Sequence, residues 1–299
     1  MTGRDLFFAL LVVTIWGVSF SVVKVGLEEL PPIFFVAIRF AIVAMPAVFF
    51  IPFPKTSIWN VIAVGVLIGV IKFGLLFIAM RADANAGLSS LVLQAQVFFT
   101  IGLSIVLFKE KLSAEQLAGL AVAAFGFSAF FFGAGEAITI LGLSLVLGAA
   151  AAWSVANIVM KRMQGVNLLG FMVWASVIPP VPLFAVSYFI ETNDPLGLIL
   201  TLSPKAWVSI AYMGHLSTLL AYALWGRLLN RLPASTVTPF ALLIPVIGIL
   251  TSSLFLGETL TMLEITGTGA VMGGLCLCVL GKPVMAYLRR RAPARSGSA

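Results

Sequence analysis

Arg39 and Lys72 are cations set well inside long apolar runs of this 299-residue chain, and no Asp or Glu stands at the centre of any such run. A guanidinium or ammonium in apolar surroundings can hold a carboxylate, the group every amino acid carries. Closer to the end of a run it can instead snorkel to the interface, or pair with Glu28 or Asp83. A cation at mid-helix costs roughly 2.5 to 3.5 kcal/mol on insertion scales, so each retained one calls for a partner. Other polar side chains fall at helical spacing in the same runs. Tyr212, His215, Leu219 and Tyr222 share one face of the eighth run, and Trp153 and Asn157 lie one turn apart in the sixth. Gln96 lines up with Ser89, Thr100 and Ser104 in the fourth run while Gln94 points elsewhere, and Ser21 shares a stripe with Thr14, Gly17 and Lys24 in the first. Aromatic rings can hold an apolar substrate side chain while hydroxyls and amides meet its polar end. The plainer alternatives are an interhelical hydrogen bond for the histidine and helix contact for the small-residue stripes.

This is recognition chemistry more than catalysis. The chain has no H-E-x-x-H pair, no G-x-S-x-G elbow, no phosphate loop, and a single histidine without a buried acid. Cys276 and Cys278 stand two apart in the last run and face different ways, which suits neither a disulfide nor a metal site. No cofactor and no metal is expected.

The elements that must position these residues follow from composition. With 61% hydrophobic and 10% charged residues and a mean hydropathy of +1.13, the chain cannot cover a soluble globule with polar surface, so it is expected to lie in a membrane with lipid as its surroundings. Its net charge of +7 comes from cations between apolar runs and at the C-terminus, a pattern for anionic lipid rather than nucleic acid. Ten runs, at 5–26, 32–53, 57–80, 85–108, 113–132, 139–162, 167–190, 205–229, 234–256 and 260–281, are each long enough for a helix to cross a hydrocarbon core of about 30 Å. The first is read as a retained helix rather than a removed signal peptide. The excess of Lys and Arg on one set of loops puts both termini in the cytoplasm.

The runs repeat. Residues 97–126 align without a gap on 245–274, matching Glu110 with Glu258, Ser113 with Thr261, Gly119 with Gly267 and Gly126 with Gly274, while Trp16 to Lys24 aligns with Trp153 to Lys161. Five helices is an odd number, so the second unit must enter from the opposite face: an inverted repeat of 5–132 and 139–281, followed by a basic tail at 282–299. Glu110 and Glu258 are expected to cap the helices that follow them, and Lys24 and Lys161 to anchor helix ends at the interface. Pro46 interrupts the second run, Pro179 and Pro180 the seventh and Pro245 the ninth, as bends or hinges. The Gly269/Gly273 and Gly119/Ala123 stripes suit close packing, placing the fifth and tenth helices outside the cavity as scaffold.

Two five-helix units, the E-x-L-[ST]-x5-G corner in each, the Trp-x7-Lys of the first and sixth helices and the Arg-rich tail resemble the EamA family of the drug/metabolite transporter superfamily. The stretch Phe73 to Thr100 is similar to bacterial amino-acid exporters of the YddG and cysteine/O-acetylserine types. The resemblance implies an all-α inner-membrane transporter, expected as a monomer, that exports amino acids or similar metabolites of broad or aromatic and neutral range by alternating access. Carriage of a sugar, nucleoside or drug-like metabolite is the nearest alternative, and a membrane-embedded enzyme a distant one. The expected substrate contacts are Trp153, Asn157, His215, Tyr222, Tyr212, Gln94, Gln96, Lys72 and Ser21. With no acid at mid-span to titrate, facilitated diffusion down the substrate gradient is expected.

Overall fold

Inside hydrocarbon a backbone group has no water to meet, so each apolar run must satisfy its own N–H and C=O groups as helix. The computed structural model describes residues 1–82, 84–109, 113–132, 138–163, 165–232 and 234–291, and at 130, 131, 234, 235 and 282–291 the backbone alone. Asp83, Glu110, Lys111 and Glu136, together with the tail beyond residue 291, lie outside the described residues. The rest is helix and turn: α1 (Gly3–Gly26), α2 (Pro32–Phe50), α3 (Ile58–Ala82), α4 (Ala86–Phe108), α5 (Ala114–Phe132), α6 (Ile140–Lys161), α7 (Leu168–Ile190), α8 (Pro204–Arg231), α9 (Thr238–Leu256) and α10 (Met262–Arg291). Among the described residues nine of these are long and apolar enough to cross a membrane, and the apolar part of α5 is a shorter Ala114–Ala129. The ten expected runs are the ten helices, with α10 continuing past the expected end at residue 281 to Arg291.

Helix ends are fixed by local chemistry. Thr2 and Asp5 form a capping box on α1. Ser113 with Gln116 and Thr261 with Glu264 exchange the same reciprocal bonds at the starts of α5 and α10. The preceding helices both end on a left-handed residue, Lys109 at φ 54° and Gly257 at φ 68°. Glu258, expected to cap α10, does something else. Its two oxygens accept from the N–H groups of Ala86 at 2.8 Å and Gly87 at 3.0 Å, so it caps α4 from across the molecule while Glu264 serves α10. Glu191, at the end of α7, holds the N–H groups of Ile33 and Phe34 at the start of α2 in the same way, at 2.8 and 2.9 Å. A carboxylate on a helix N-terminus is a charge-assisted contact with the positive end of the helix dipole.

These contacts sort the helix ends into two layers. One holds Asp5 bonded to Arg231, Thr56 against Met163, and Ile51 accepting from the Trp174 indole. The other holds Glu28 with Lys205, Glu29 with Ser203, and the two carboxylate caps. α1 runs from the first layer to the second and α6 from the second to the first. Outside the spans, the Ser203 hydroxyl and N–H hold the Glu29 carboxyl below the usual carboxylate range.

α5 and α10 pack chiefly on each other, to one side of the other helices. Their seam is built on glycines, though not the expected pair in α10. A Cβ on Gly119 would lie 2.6 Å from the Gly274 carbonyl, on Gly126 2.7 Å from the Val271 nitrogen, and on Gly274 2.5 Å from the Gly119 carbonyl. Gly269 and Gly273 would meet nothing within 4 Å. Replacing Gly119 or Gly274 with Val should therefore force the backbones apart at a cost of about 1–3 kcal/mol, lowering the melting temperature of detergent-purified protein. The same change at Gly269 should leave it near that of the parent, and equal loss at all three would show that the seam is not where stability resides.

Candidate functional site

Two of the spanning helices depart from α geometry at the same point of the repeat. Gly65–Lys72 in α3 and Tyr212–Leu220 in α8 are wound as π-helix, and the two stretches stand 148 residues apart like the paired caps. A π-turn widens the helix and re-aims the side chains beyond it. In α8 it also offers carbonyls sideways: Ser217 O accepts from the Trp16 indole at 2.9 Å, and Met213 O accepts from the Thr218 hydroxyl at 3.0 Å. Each π segment meets an interrupted helix. α7 breaks between Ala175 and Pro180, and Gly65 and Gly69 of α3 make room for that break, since a Cβ on Gly69 would overlap Pro179 and one on Gly65 would lie 2.7 Å from the Ala175 carbonyl. α2 breaks at Met45–Pro46, and Gly214 of α8 lies against Ile42 and the Arg39 carbonyl of the stretch before it.

These irregular segments bring Arg39 and Lys72 into the middle of the bundle. Arg39 is 1% exposed and neither snorkels nor reaches Glu28, which is bonded to Lys205. Its guanidinium lies 4.1 Å from the centre of the Phe73 ring and 4.8 Å from that of Phe40, and donates to the Thr218 hydroxyl at 3.0 Å. A longer contact of 3.5 Å reaches the Met213 carbonyl, while Nε and Nη1 have no acceptor. Lys72, 7% exposed, places its ammonium 3.5 Å from the Phe73 ring centre and 4.5 Å from that of Trp153. Tyr222 packs, like Phe73 and Trp153, on the buried cluster of Val61, Val64, Ile68 and Phe171. Its ring meets Trp16 edge-on at 5.4 Å. Cation and π-face attract in a desolvated site by roughly 2 kcal/mol, enough to hold these groups but not to replace a counter-ion.

One turn along α6 from Trp153, the Asn157 amide donates to Gln96 Oε1 at 2.7 Å and Thr100 Oγ1 at 3.3 Å. A turn further, Lys161 Nζ reaches Ser104 Oγ at 3.3 Å and lies over the Phe108 ring. The polar row Gln96, Thr100, Ser104 of α4 thus faces α6.

The structure thus gathers Arg39 and Lys72 on the Phe73 ring, with Trp153 against Lys72, Tyr222 on the same buried cluster, and Asn157 and Gln96 one turn along α6. The remaining expected residues go elsewhere. Ser21 bonds to Thr251 of α9 at 3.2 Å, and a Cβ on Gly17 would meet Ile247, so that stripe is helix contact. Tyr212 donates to the Ile15 carbonyl at 2.8 Å and pins α8 to α1. Gln94 is buried and reaches the Ala241 carbonyl at 3.4 Å, the acceptor that Pro245 cannot use because it has no N–H. Pro245 itself sits in the first turn of a regular helix, Leu243–Leu256, and the irregular part of α9 is the 3-10 turn Thr238–Leu242 before it. His215 is exposed, in line with Val208, Leu216 and Leu220, and bonds back to the Ala211 carbonyl of its own helix, because the π-turn rotates it off the face that carries Tyr222. Lys24 is no surface anchor: its ammonium caps the end of α3 through the Met80 and Ala84 carbonyls at 2.6 and 3.1 Å. Among the described residues no group of three His, Cys, Asp or Glu could hold a metal, and both cysteines are free.

Comparison with known proteins agrees with this architecture. The EamA-like transporter family matches twice, over residues 4–132 and 140–280. A protein of Salmonella typhimurium named "Probable amino-acid metabolite efflux pump" is 37% identical over 94% of this chain and 96% of its own length. One of the same name in Escherichia coli K12 is 36% identical over the full length of both. A crystal structure 17% identical in sequence superposes with a TM-score of 0.61, covering 95% of this chain and 99% of the other, and so shares the fold. Ten helices in two matched sets, with two cations packed among aromatic rings at their centre, belong to a membrane transporter of the EamA-like family.

Proposed function

We propose that the protein exports amino acids or amino-acid-like metabolites across a bacterial inner membrane, binding the substrate carboxylate at Lys72 and Arg39. The observation that carries this reading is a pair of buried cations with no acidic partner among the described residues. Asp5, Glu28, Glu29, Glu191, Glu258 and Glu264 are all engaged at helix ends. A carboxylate arriving between Phe73, Trp153 and Tyr222 supplies the missing charge, and the rings take the apolar side chain. Asn157 and Gln96 are left to read the polar end. The names of the Salmonella and Escherichia coli relatives support amino-acid metabolites over sugars or nucleosides. A carrier of phosphorylated metabolites calls for deep cations in both halves, and here both lie in the first.

Residues 5–132 and 139–281 act in this reading as two inverted halves that rock about the central site. The opposite directions of α1 and α6, and the paired caps and π segments, support that view. The layer of Asp5 and Arg231 faces the cytoplasm, since Arg4, Lys55, Lys161, Arg162 and Arg227 fall on it, against Lys24, Arg81 and Lys205 on the other. The protein moves its substrate unchanged, as a monomer among lipids, by facilitated diffusion. The breaks at Pro46 and Pro179–Pro180 are the bends about which the halves flex.

Two experiments test this. In proteoliposomes, counterflow against a panel of amino acids and their derivatives should show saturable flux. That flux should fall about tenfold or more in Lys72→Ala and in Trp153→Ala, because a hydrogen bond to a charged group contributes about 1.5–3 kcal/mol and a desolvated cation–ring contact about 2 kcal/mol. His215→Ala and Ser21→Ala should stay within about twofold of the parent. Flux lost equally in all four returns the site to the outer face of α8. For topology, single cysteines replacing Lys55 and Asn193, both exposed, should react with impermeant thiol reagents from opposite sides of the membrane. Labelling of both from the same side rules this orientation out.

A further inference from the structure

We infer that the preferred substrate is a net anion: an amino-acid derivative whose amino group is acylated or otherwise masked, with its carboxylate free, in place of the parent zwitterion. This rests on the amino-acid reading of the central site and adds a charge to it.

The site offers places for negative charge and few for positive. Arg39 stays protonated in any protein setting, and two of its three guanidinium nitrogens, Nε and Nη1, are buried without an acceptor. Lys72 makes no hydrogen bond among the described residues, and its ammonium rests on rings. A zwitterion brings a carboxylate that suits both cations and an ammonium that suits neither. An ammonium out of water needs an acid, several carbonyls or an open aromatic face. The described acids are engaged at helix ends, and the faces of Phe73 and Trp153 already meet Arg39 and Lys72. The Met213 carbonyl already accepts from Arg39 and Thr218, and the Gln96 side-chain carbonyl already accepts from Asn157. An N-acyl group removes the third cation. In its place it supplies an amide N–H and a carbonyl, which a neutral amide such as Asn157 can meet.

Masking the amine also changes the thermodynamics of export. A zwitterion crosses without moving net charge, whereas an anion leaving a cell whose interior is negative is driven outward by the membrane potential. One charge across 100 mV changes the equilibrium ratio about fiftyfold. No titrating group at mid-span is then needed to empty the cell of such a metabolite.

The test uses the full chain in proteoliposomes, with protein-free vesicles as the leak control. Four probes are compared: phenylalanine, N-acetylphenylalanine, phenylalanine methyl ester and glucose 6-phosphate. The expected result is an apparent KM about tenfold or more lower for N-acetylphenylalanine than for phenylalanine, the size of one unfavourable like-charge contact a few ångströms from Arg39. N-acetylphenylalanine flux should respond to a potassium diffusion potential set with valinomycin, the methyl ester should not be carried, and Lys72→Gln should raise the KM for the acetylated probe. Phenylalanine carried as well as or better than its acetylated form overturns the inference while leaving amino-acid export intact, as does acetylated flux that ignores voltage. Saturable flux of glucose 6-phosphate with none of the phenylalanine compounds overturns both this inference and the reading beneath it.

Discussion

A backbone group released inside hydrocarbon must find a partner in the protein, and this constraint organises the molecule from its breaks outward. Regular helix satisfies itself, but this chain interrupts α2 and α7 at prolines, starts α9 with a 3-10 turn and departs from α winding in α3 and α8. Such irregularities leave carbonyls to be met from elsewhere, and in α8 and at the start of α9 the partners come from the other set of helices. Pro245 frees the Ala241 carbonyl, and Gln94 of α4 takes it. The π-turn of α8 turns Ser217 and Met213 outward, and Trp16 of α1 and Arg39 of α2 reach them. The N-termini of α2 and α4 are closed by carboxylates from α7 and from the corner after α9. The polar chemistry at the centre is thus continuous with the solution to a backbone problem.

Charge follows the same logic with a different outcome. Near the two surfaces, cations and carboxylates meet a neighbour of opposite sign or a helix end, and water screens what remains. At the centre the described residues supply neither remedy. Rings lower the energy of Arg39 and Lys72 by quadrupole attraction and by shape, yet two like charges still share one region, and each raises the cost of the other. Such an arrangement is unfavourable by itself, and on the proposed reading an entering substrate carboxylate relieves it. A binding site differs in this way from a structural ion pair, which is complete without a ligand.

The ten helices are legible in the sequence because about twenty apolar residues between charged or Pro/Gly breaks leave little alternative. The repeat is legible because its corners reuse the same capping residues: Ser113 and Gln116 do for α5 what Thr261 and Glu264 do for α10. Less legible is anything depending on how the halves meet. Glu258 looks like a cap for the nearest helix, and only packing shows that α4 is closer to its carboxylate. His215 and Tyr222 share a face under α periodicity, but the π-turn between them adds residues to the turn and separates them, and an apolar run carries no clear mark of that change in winding. Trp16 and Thr218 escape the sequence reading of the site, although Trp16 is the repeat counterpart of Trp153 and that pairing is a usable signal. Ser21 and Gly17 fit cavity or contact equally on spacing alone, and the tight fit of Gly17 against Ile247 decides for contact.

Where the two halves agree and where they part company divides scaffold from site. The caps, the left-handed ends of α4 and α9, the π segments and the Trp16/Trp153 pair recur because each answers a demand that packing makes on both halves alike. At the repeat spacing, however, Lys72 corresponds to Leu220, Gln96 to Ile244 and Asn157 to Phe20. Lys72 turns inward to the rings while Leu220 stays on the exposed side of α8, so the same π-wound turn delivers a cation in one half and an apolar surface in the other. The scaffold is matched and the chemistry is one-sided. On the proposed carboxylate reading, a ligand that complements this arrangement is itself one-sided, with its charge toward α2 and α3 and its apolar body toward Trp153 and Tyr222. An amino-acid skeleton, with a carboxylate at one end and a side chain at the other, has that shape, and a ligand charged at both ends does not.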